Sequence, residues 1–210
     1  MRWTVLIPTK SLPEAKTRLT GASADSAAHH RLVRAIRADT LAAARAADGV
    51  ARLVIVTDRS DDHGAELTFV QTAPGLNAAL AEAAADAANR WPRDGLVALL
   101  GDLPALRPDE LAHALADAAR TPRSFVPDAA GTGTTLLAVH PGVLLAPAFG
   151  PGSAARHAAG AVRLDAGPGL RHDVDTADDL ETARVFGLGA FTRRVLEAAD
   201  SSPTVHLGPA

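Results

Sequence analysis

The sequence predicts a single α/β domain in which a central, mostly parallel sheet lies between helices. Short runs rich in Val, Ile and Leu alternate with longer Ala-rich runs along the chain. This alternation is typical of a parallel sheet covered by helices on both faces. The later apolar runs lie closer together, which indicates some antiparallel pairing and therefore a mixed sheet. We expect residues 1–200 to form the domain and residues 201–210, with Pro203 and Pro209, to form a flexible tail.

Seven strands are predicted from short runs rich in β-branched residues or Leu, and five helices from the longer Ala-rich runs. The predicted strands span residues 3–7, 53–57, 67–70, 96–100, 124–126, 134–139 and 161–164. The predicted helices span residues 27–47, 76–90, 109–119, 153–159 and 177–186. In the first helix Leu32, Val33 and Ile36 recur at helical spacing, with arginines between them. Pro108 followed by two acidic residues indicates the start of the third helix.

Composition excludes several classes of function. The chain has 21 Lys and Arg against 24 Asp and Glu, a net charge of -3, so it has no basic field for nucleic acid. It contains no cysteine, which excludes disulfides and thiolate metal sites and suits a cytoplasmic protein. The first apolar run, at residues 3–7, is too short for a signal peptide. No apolar stretch approaches the roughly 20 residues of a membrane span, so we expect no membrane partner.

Three aspartates form the candidate metal site. Asp102 follows the predicted strand at 96–100, and Asp173 and Asp175 form an Asp-x-Asp pair. A carboxylate at the carboxyl end of a strand lies where open α/β sheets bind ligands. Locally, Asp102 is equally compatible with a turn residue. Thr176 and Asp179 match a capping box, which leaves the Asp-x-Asp pair unexplained and favours a hard cation such as Mg²⁺.

Other segments carry groups suited to phosphates, each with a plainer alternative. Lys10, Lys16 and Arg18 follow the first strand and suit a triphosphate, or form a solvated basic loop. Thr134 ends a Gly-Thr-Gly-Thr run that suits a ligand or a turn. Ser153 opens a helix as an anion-binding residue or a plain cap, and Arg156 and His157 follow it as added charge. Asn77 similarly opens the second helix, as a cap or a contact to a base or ribose.

Together these segments resemble a known family. Residues 8–19, 76–80, 101–104, 131–134, 149–157 and 172–176 match, in order, motifs of the guanylyltransferases of deazaflavin coenzyme F-420 biosynthesis. These enzymes use 2-phospho-L-lactate or phosphoenolpyruvate. The match runs from residue 4 to about residue 187. The Gly-Asp-Leu-Pro element is also similar to that of nucleotidyltransferases for sugar or molybdopterin nucleotides. Those enzymes usually carry a Gly-rich first loop, whereas the loop here is Lys-rich.

The resemblance implies a single-domain nucleotidyltransferase fold that is GT-A-like and Rossmann-like. It implies that Asp102, Asp173 and Asp175 bind Mg²⁺ and are catalytic. It further implies that Thr134, Gly150 and Ser153 bind the phosphorylated three-carbon acid, and that Lys10, Lys16, Arg18 and Asn77 bind GTP.

The implied reaction is GMP transfer from GTP to the acid, with release of pyrophosphate. Phosphoenolpyruvate is the favoured acceptor, because the Ala- and Arg-rich composition suits an actinobacterium. The alternatives are a sugar-phosphate nucleotidyltransferase and a non-catalytic nucleotide-binding regulator. The sequence leaves a homo-oligomer open.

Overall fold

A computed structural model describes residues 1–9, 26–58 and 67–200. The strands are β1 (Trp3–Thr9), β2 (Val50–Thr57), β3 (Leu67–Val70), β4 (Gly95–Leu99), β5 (Arg123–Pro127), β6 (Thr134–Val139) and β7 (Val162–Arg163). The helices are α1 (Ser26–Ala46), α2 (Leu76–Arg90), α3 (Pro108–Ala118), α4 (Ser153–Ala158), α5 (Pro168–Arg171), α6 (Ala177–Phe186) and α7 (Ala190–Asp200). Each predicted strand and helix is present. The predicted tail at 201–210 lies outside the described residues.

The described strands form one mixed sheet in the order β3-β2-β1-β4-β6-β5-β7. β1, β2, β3 and β4 pair in parallel. β6 runs antiparallel to both β4 and β5, and β7 pairs in parallel with β5. The antiparallel pairing therefore occurs among the later, closely spaced strands. The predicted single-domain α/β class with a mixed sheet is confirmed.

Both faces of the sheet are buried because alternate residues of each strand point to opposite sides. In β1, Val5 and Ile7 join the apolar cluster that includes residues of α1, α3 and α5. Leu6, between them, joins the opposite cluster with residues of α2 and α4. The side of α2 that faces the sheet consists of Leu80 and small alanines, which let the helix backbone approach closely. These clusters hold the strand ends in fixed relative positions.

Two helices, α5 and α7, were not predicted. α7 packs against α1, and its first amides are capped by a residue far away in the sequence. The buried carboxylate of Asp39 accepts hydrogen bonds from the amides of Phe191, at 2.9 Å, and Thr192, at 2.7 Å. Because the cap comes from α1, the residues just before α7 carry no local start signal. α5 is a single turn, shorter than the periodic patterns that reveal helices in a sequence.

None of the helices within the described residues combines the length and the apolar character that crossing a membrane requires.

Candidate active site

The ends of several strands lie at one edge of the sheet and define the candidate site. β1, β2, β4 and β5 all end there, and β6 begins there because it is antiparallel to β4 and β5. The amide of Leu100 extends the β4–β6 pairing by donating to the carbonyl oxygen of Thr135 at 2.9 Å. The loop that holds Asp102 and the start of β6 at Thr134 are therefore neighbours. This is the edge where α/β sheets bind ligands.

The strand-end aspartate and the Asp-x-Asp pair meet at this edge. The backbone N–H of Val174 donates to the carbonyl oxygen of Asp102 at 3.0 Å. The pKa of Asp173 is raised to about 7, first by burial and then by the negative charges of Asp102, Asp175 and Asp128. Like charges at close range disfavour ionisation unless a cation neutralises them. The arrangement thus concentrates negative charge beside the loop that follows β4.

The three carboxylates of Asp102, Asp173 and Asp175 fit a hard cation in part. Asp102 and Asp173 are half-buried, whereas Asp175 is exposed. Across the described parts of the chain, no three His, Asp or Glu side chains form a group that could hold a metal ion as they stand. Two half-buried carboxylates of like charge do suit Mg²⁺, which takes oxygen ligands and would relieve their repulsion. The metal-binding roles of Asp102, Asp173 and Asp175 stay predictions.

Hydrogen bonds to α1 and to the residues before α7 hold the loop that carries Asp102. The hydroxyl of Thr40 donates to the carbonyl oxygen of Ile36 at 3.1 Å and accepts from the amide of Leu103 at 3.0 Å. The amide of Gly189 donates to the carbonyl oxygen of Pro104 at 2.8 Å. These bonds satisfy buried backbone groups that the loop would otherwise leave unpaired. They also fix the direction in which the backbone leaves β4.

The segment that carries Asp173 is fixed on its other side. The guanidinium of Arg171 donates to the carbonyl oxygens of Pro127, at 3.3 Å, and Asp128, at 2.9 Å, and so ties the segment to the end of β5. Downstream, the predicted capping box is confirmed. The amide of Asp179 donates to the hydroxyl of Thr176 at 3.2 Å, and the Asp179 carboxylate accepts from the Thr176 amide at 2.8 Å.

A second cluster contains the three residues predicted to bind the phospho-acid. The hydroxyl of Ser153 lies 3.2 Å from that of Thr134, and both side chains are buried. The carbonyl oxygen of Gly150 accepts from the amide of Ser153 at 3.0 Å. Gly150 has φ +114°, a backbone conformation that suits glycine. The guanidinium of Arg156 donates to the carbonyl oxygens of Ala148, Gly150 and Pro151 and holds this loop closed.

The side chain of His157 lies inside this cluster and is neutral near pH 7. Burial first, and then the positive charges of Arg123 and Arg156, lower its pKa to about 4. The amide of Ala148 donates to Nε2 at 3.0 Å, so the proton of the neutral ring is assigned to Nδ1. Nδ1 lies 2.9 Å from the hydroxyl of Thr134. The prediction that His157 adds positive charge is therefore wrong, because burial disfavours the charged ring.

The residues predicted to bind GTP are in two different situations. The amide side chain of Asn77 donates to the carbonyl oxygen of Phe149 at 3.0 Å and accepts from its backbone N–H at 2.7 Å. This pair of bonds ties α2 to the loop before α4. Gly75, rather than Asn77, is the N-cap of α2. Lys10, Lys16 and Arg18 lie outside the described residues. The GTP-binding roles of all four stay predictions.

Asp128 is a site residue that the sequence analysis missed. Its carboxylate accepts from the amides of Thr132, at 2.9 Å, and Gly133, at 2.8 Å, and so builds the Gly-Thr turn before β6. Its charge also acts on Asp173. An aspartate a few residues before a Gly-rich run is a turn signal that could have identified it.

Comparisons with known proteins agree with this architecture and identify the family. No family model matches the chain. It is 48% identical over 204 residues to the phosphoenolpyruvate guanylyltransferase of Streptomyces coelicolor, covering 93% of this chain and 96% of that protein. It is 49% identical over 210 residues to the protein of the same name from Geodermatophilus obscurus, covering 94% and 95% of the two chains. The chain belongs to the phosphoenolpyruvate guanylyltransferase family.

As a member of the phosphoenolpyruvate guanylyltransferase family, the protein is a nucleotidyltransferase enzyme, so a non-catalytic regulator is excluded. Solved structures place its fold in a wider group. A protein of Desulfovibrio desulfuricans G20 described as a nucleotide-diphospho-sugar transferase matches with a TM-score of 0.72 at 19% identity, covering 96% of each chain. A 4-diphosphocytidyl-2C-methyl-D-erythritol synthase matches with a TM-score of 0.57 at 12% identity, covering 88% and 97%. At these identities the likeness shows the fold alone.

Proposed function

We propose that the protein transfers GMP from GTP to the phosphate of phosphoenolpyruvate, with Mg²⁺ and with release of pyrophosphate, in deazaflavin coenzyme F-420 biosynthesis. The family membership supports guanylyl transfer, and the names of the relatives support this acceptor over 2-phospho-L-lactate. The observation that carries the proposal is the position of two groups at one edge of the sheet. The paired carboxylates of Asp102 and Asp173 suit a cation, and the Thr134–Ser153 hydroxyls suit an anionic acceptor.

The proposed step is an in-line displacement at phosphorus. A phosphate oxygen of the acceptor forms a bond to the α-phosphorus of GTP, and the bond from that phosphorus to the bridging oxygen of the β-phosphate breaks. The electron pair leaves with pyrophosphate. The acceptor oxygen is already ionised near pH 7, so no side chain needs to act as a general base. This fits a site whose buried histidine, His157, is engaged on both ring nitrogens.

The protein's own residues then supply binding and alignment. Bound Mg²⁺, held by Asp102 and Asp173, would neutralise phosphate charge and contribute several kcal/mol to the transition state. The Thr134–Ser153 hydroxyl pair donates to the acceptor, and the closed loop at Gly150 limits where the acceptor can lie. Because both reactants are anions, fixing their relative position supplies much of the rate enhancement.

Pyrophosphate release tests the proposal directly. The purified protein is incubated with GTP and Mg²⁺ together with phosphoenolpyruvate, 2-phospho-L-lactate or a sugar phosphate. We expect release that requires phosphoenolpyruvate and stops with EDTA. Release with 2-phospho-L-lactate alone would change the acceptor, and release with a sugar phosphate alone would refute the proposal.

Ser153→Ala tests the acceptor site within the same assay. This variant should raise the KM for the acid and leave the KM for GTP close to that of the wild type, because Ser153 would contact the acid and not GTP. A changed GTP affinity with an unchanged acceptor KM would contradict this role.

A further inference from the structure

The hydroxyls of Thr134 and Ser153 form a buried pair, and one of their two protons is left over after they hydrogen-bond to each other. Thr134 and Ser153 are 3% and 1% exposed, and their oxygens lie 3.2 Å apart. His157 donates to Thr134 through Nδ1–H at 2.9 Å. Each hydroxyl carries one proton, and the bond between the two uses one of them. Whichever hydroxyl donates to the other, one hydroxyl proton has no hydrogen-bond acceptor among the described residues.

The direction of this hydrogen-bond chain is set by the backbone of the loop before α4. The amide N–H of Ala148 can only donate, and it donates to Nε2 of His157 at 3.0 Å. The neutral ring must then carry its proton on Nδ1 and donate to Thr134. The ring is held in place by contacts with Phe149, at 5.3 Å between centroids, and Phe125, at 6.1 Å.

The opposite tautomer of His157 would reverse the hydrogen-bonding role of the hydroxyl pair. With a lone pair on Nδ1, the Thr134 hydroxyl would donate to the ring, and the hydroxyl pair would have no proton left over. Its lone pairs would then face the anion and repel it. The tautomer of His157 therefore decides whether the hydroxyl pair attracts or repels a phosphate or carboxylate oxygen.

We propose that His157 is a positioning residue for the acceptor, which it never touches: by donating to Thr134 it turns the Thr134–Ser153 hydroxyl pair into a donor toward an anionic oxygen of phosphoenolpyruvate. The inference rests on the proposed function and adds a residue that acts through Thr134. His157 thereby contributes to acceptor affinity without supplying charge.

Three substitutions at His157 separate the donor from the packing of the ring. His157→Asn keeps an amide N–H close to the position of Nδ1. His157→Gln places its amide near the position of Nε2 and loses the donor to Thr134. His157→Phe keeps the ring packing and loses both hydrogen bonds. Melting temperatures of all three variants establish that the proteins compared are folded.

The expected result is a split between the kinetic constants. His157→Phe and His157→Gln should raise the KM for phosphoenolpyruvate about tenfold or more, the effect of losing one hydrogen bond to a charged group. The KM for GTP should stay within about twofold of the wild type. His157→Asn should recover most of the acceptor affinity. If His157→Asn is no better than His157→Phe, the proposal is overturned.

A double substitution tests whether His157 acts through Thr134. In a Thr134→Val protein His157 has no hydroxyl to orient. Adding His157→Phe should then change the KM for phosphoenolpyruvate by less than about twofold. Coupled residues show this non-additivity, whereas a structural role that is independent of Thr134 would add its full effect. A full additional increase in KM would overturn the proposal.

Failure of the proposed function can be distinguished from failure of this inference. If the wild type releases no pyrophosphate with phosphoenolpyruvate, calorimetric binding of phosphoenolpyruvate replaces the kinetic readout. Binding that is lost in His157→Phe and recovered in His157→Asn would support the positioning role while refuting the reaction. A wild type that neither reacts with phosphoenolpyruvate nor binds it would overturn both.

Discussion

The amide of Val174 donates to the carbonyl oxygen of Asp102 at 3.0 Å, and this hydrogen bond joins two segments that are distant in the sequence. It aligns the backbone on which Asp173 and Asp175 stand with the loop that follows β4. The carboxylates are thereby held near one another by the main chain, although their charges repel. In the absence of a cation this repulsion lowers the folding stability of the protein.

Asp173→Asn should make the cation-free protein more stable and the enzyme inactive. The substitution removes a half-buried negative charge beside Asp102, so the melting temperature in EDTA at pH 8 should rise. Turnover should fall at least about 100-fold if the carboxylate holds Mg²⁺. Stabilisation by added Mg²⁺ or Mn²⁺ should also be lost.

Asp117→Asn, on α3, is the matched control for this variant, because Asp117 lies outside the site and pairs only loosely with Arg120. It should leave activity and the response to cations unchanged. An Asp173→Asn protein that is less stable in EDTA, or that keeps near-normal turnover, would refute the assignment of Asp173.

His157 should make folding stability fall at mildly acidic pH. Its pKa is about 4 in the folded protein, below the value of about 6.5 expected for the unfolded chain. Its contribution is therefore fully present above pH 6.5 and is lost as the pH falls towards 4, to a total of about 3 kcal/mol. Urea unfolding gives the free energy of unfolding of the wild type and of His157→Gln at several pH values. The contribution of His157 is the difference between the two proteins in how this free energy changes with pH. Parallel pH profiles would show that His157 is not buried as a neutral ring.

Gly169→Ala should move the Asp-x-Asp segment and lower activity. A Cβ at residue 169 would overlap the carbonyl of Ala105 and the carboxylate of Glu110, which accepts from the Gly169 amide. The backbone after α5 must shift to relieve the overlap, so we expect a loss of about 1–3 kcal/mol in the free energy of unfolding. Turnover should fall with it.

Gly160→Ala is the control for this substitution, because nothing lies within 4 Å of a Cβ built there. It should leave both stability and turnover close to the wild-type values. Equal effects from the two glycine substitutions would show that close packing at Gly169 does not position the site.

Asp39→Ala should loosen α7. The carboxylate accepts from the amides of Phe191 and Thr192, and its removal leaves both donors without their partner. We expect a loss of about 1–3 kcal/mol in the free energy of unfolding. Hydrogen exchange should accelerate mainly in α7, and Asp48→Ala, at an exposed position after α1, should change neither quantity. A uniform acceleration across the whole domain would contradict a local capping role.

The sequence predicts the strands and the position of Asp102 at a strand end because both follow local patterns, whereas only the family resemblance placed Asp102 and Asp173 in one site. A carboxylate after an apolar strand lies at a predictable edge, and the edge follows from strand–helix alternation. The contacts of Asn77 with Phe149, and of Asp39 with α7, join residues that are remote in the sequence, so no local pattern contains them. The neutral state of His157 depends on burial, which the sequence does not reveal for a single residue. Arg171 was missed because its partners are backbone atoms of a remote segment. Asp128 was missed although its partners, the amides of Thr132 and Gly133, lie in the same turn.

The bond from the amide of Gly189 to the carbonyl of Pro104 links the order of synthesis to the appearance of activity. The loop that carries Asp102 emerges from the ribosome long before the residues around α7 that hold it. Contacts of such large sequence separation form late, since the intervening chain must first be ordered. A nascent chain can therefore assemble its sheet while the loop that carries Asp102 is still unsupported, and activity should appear only after residues 189–200 have docked.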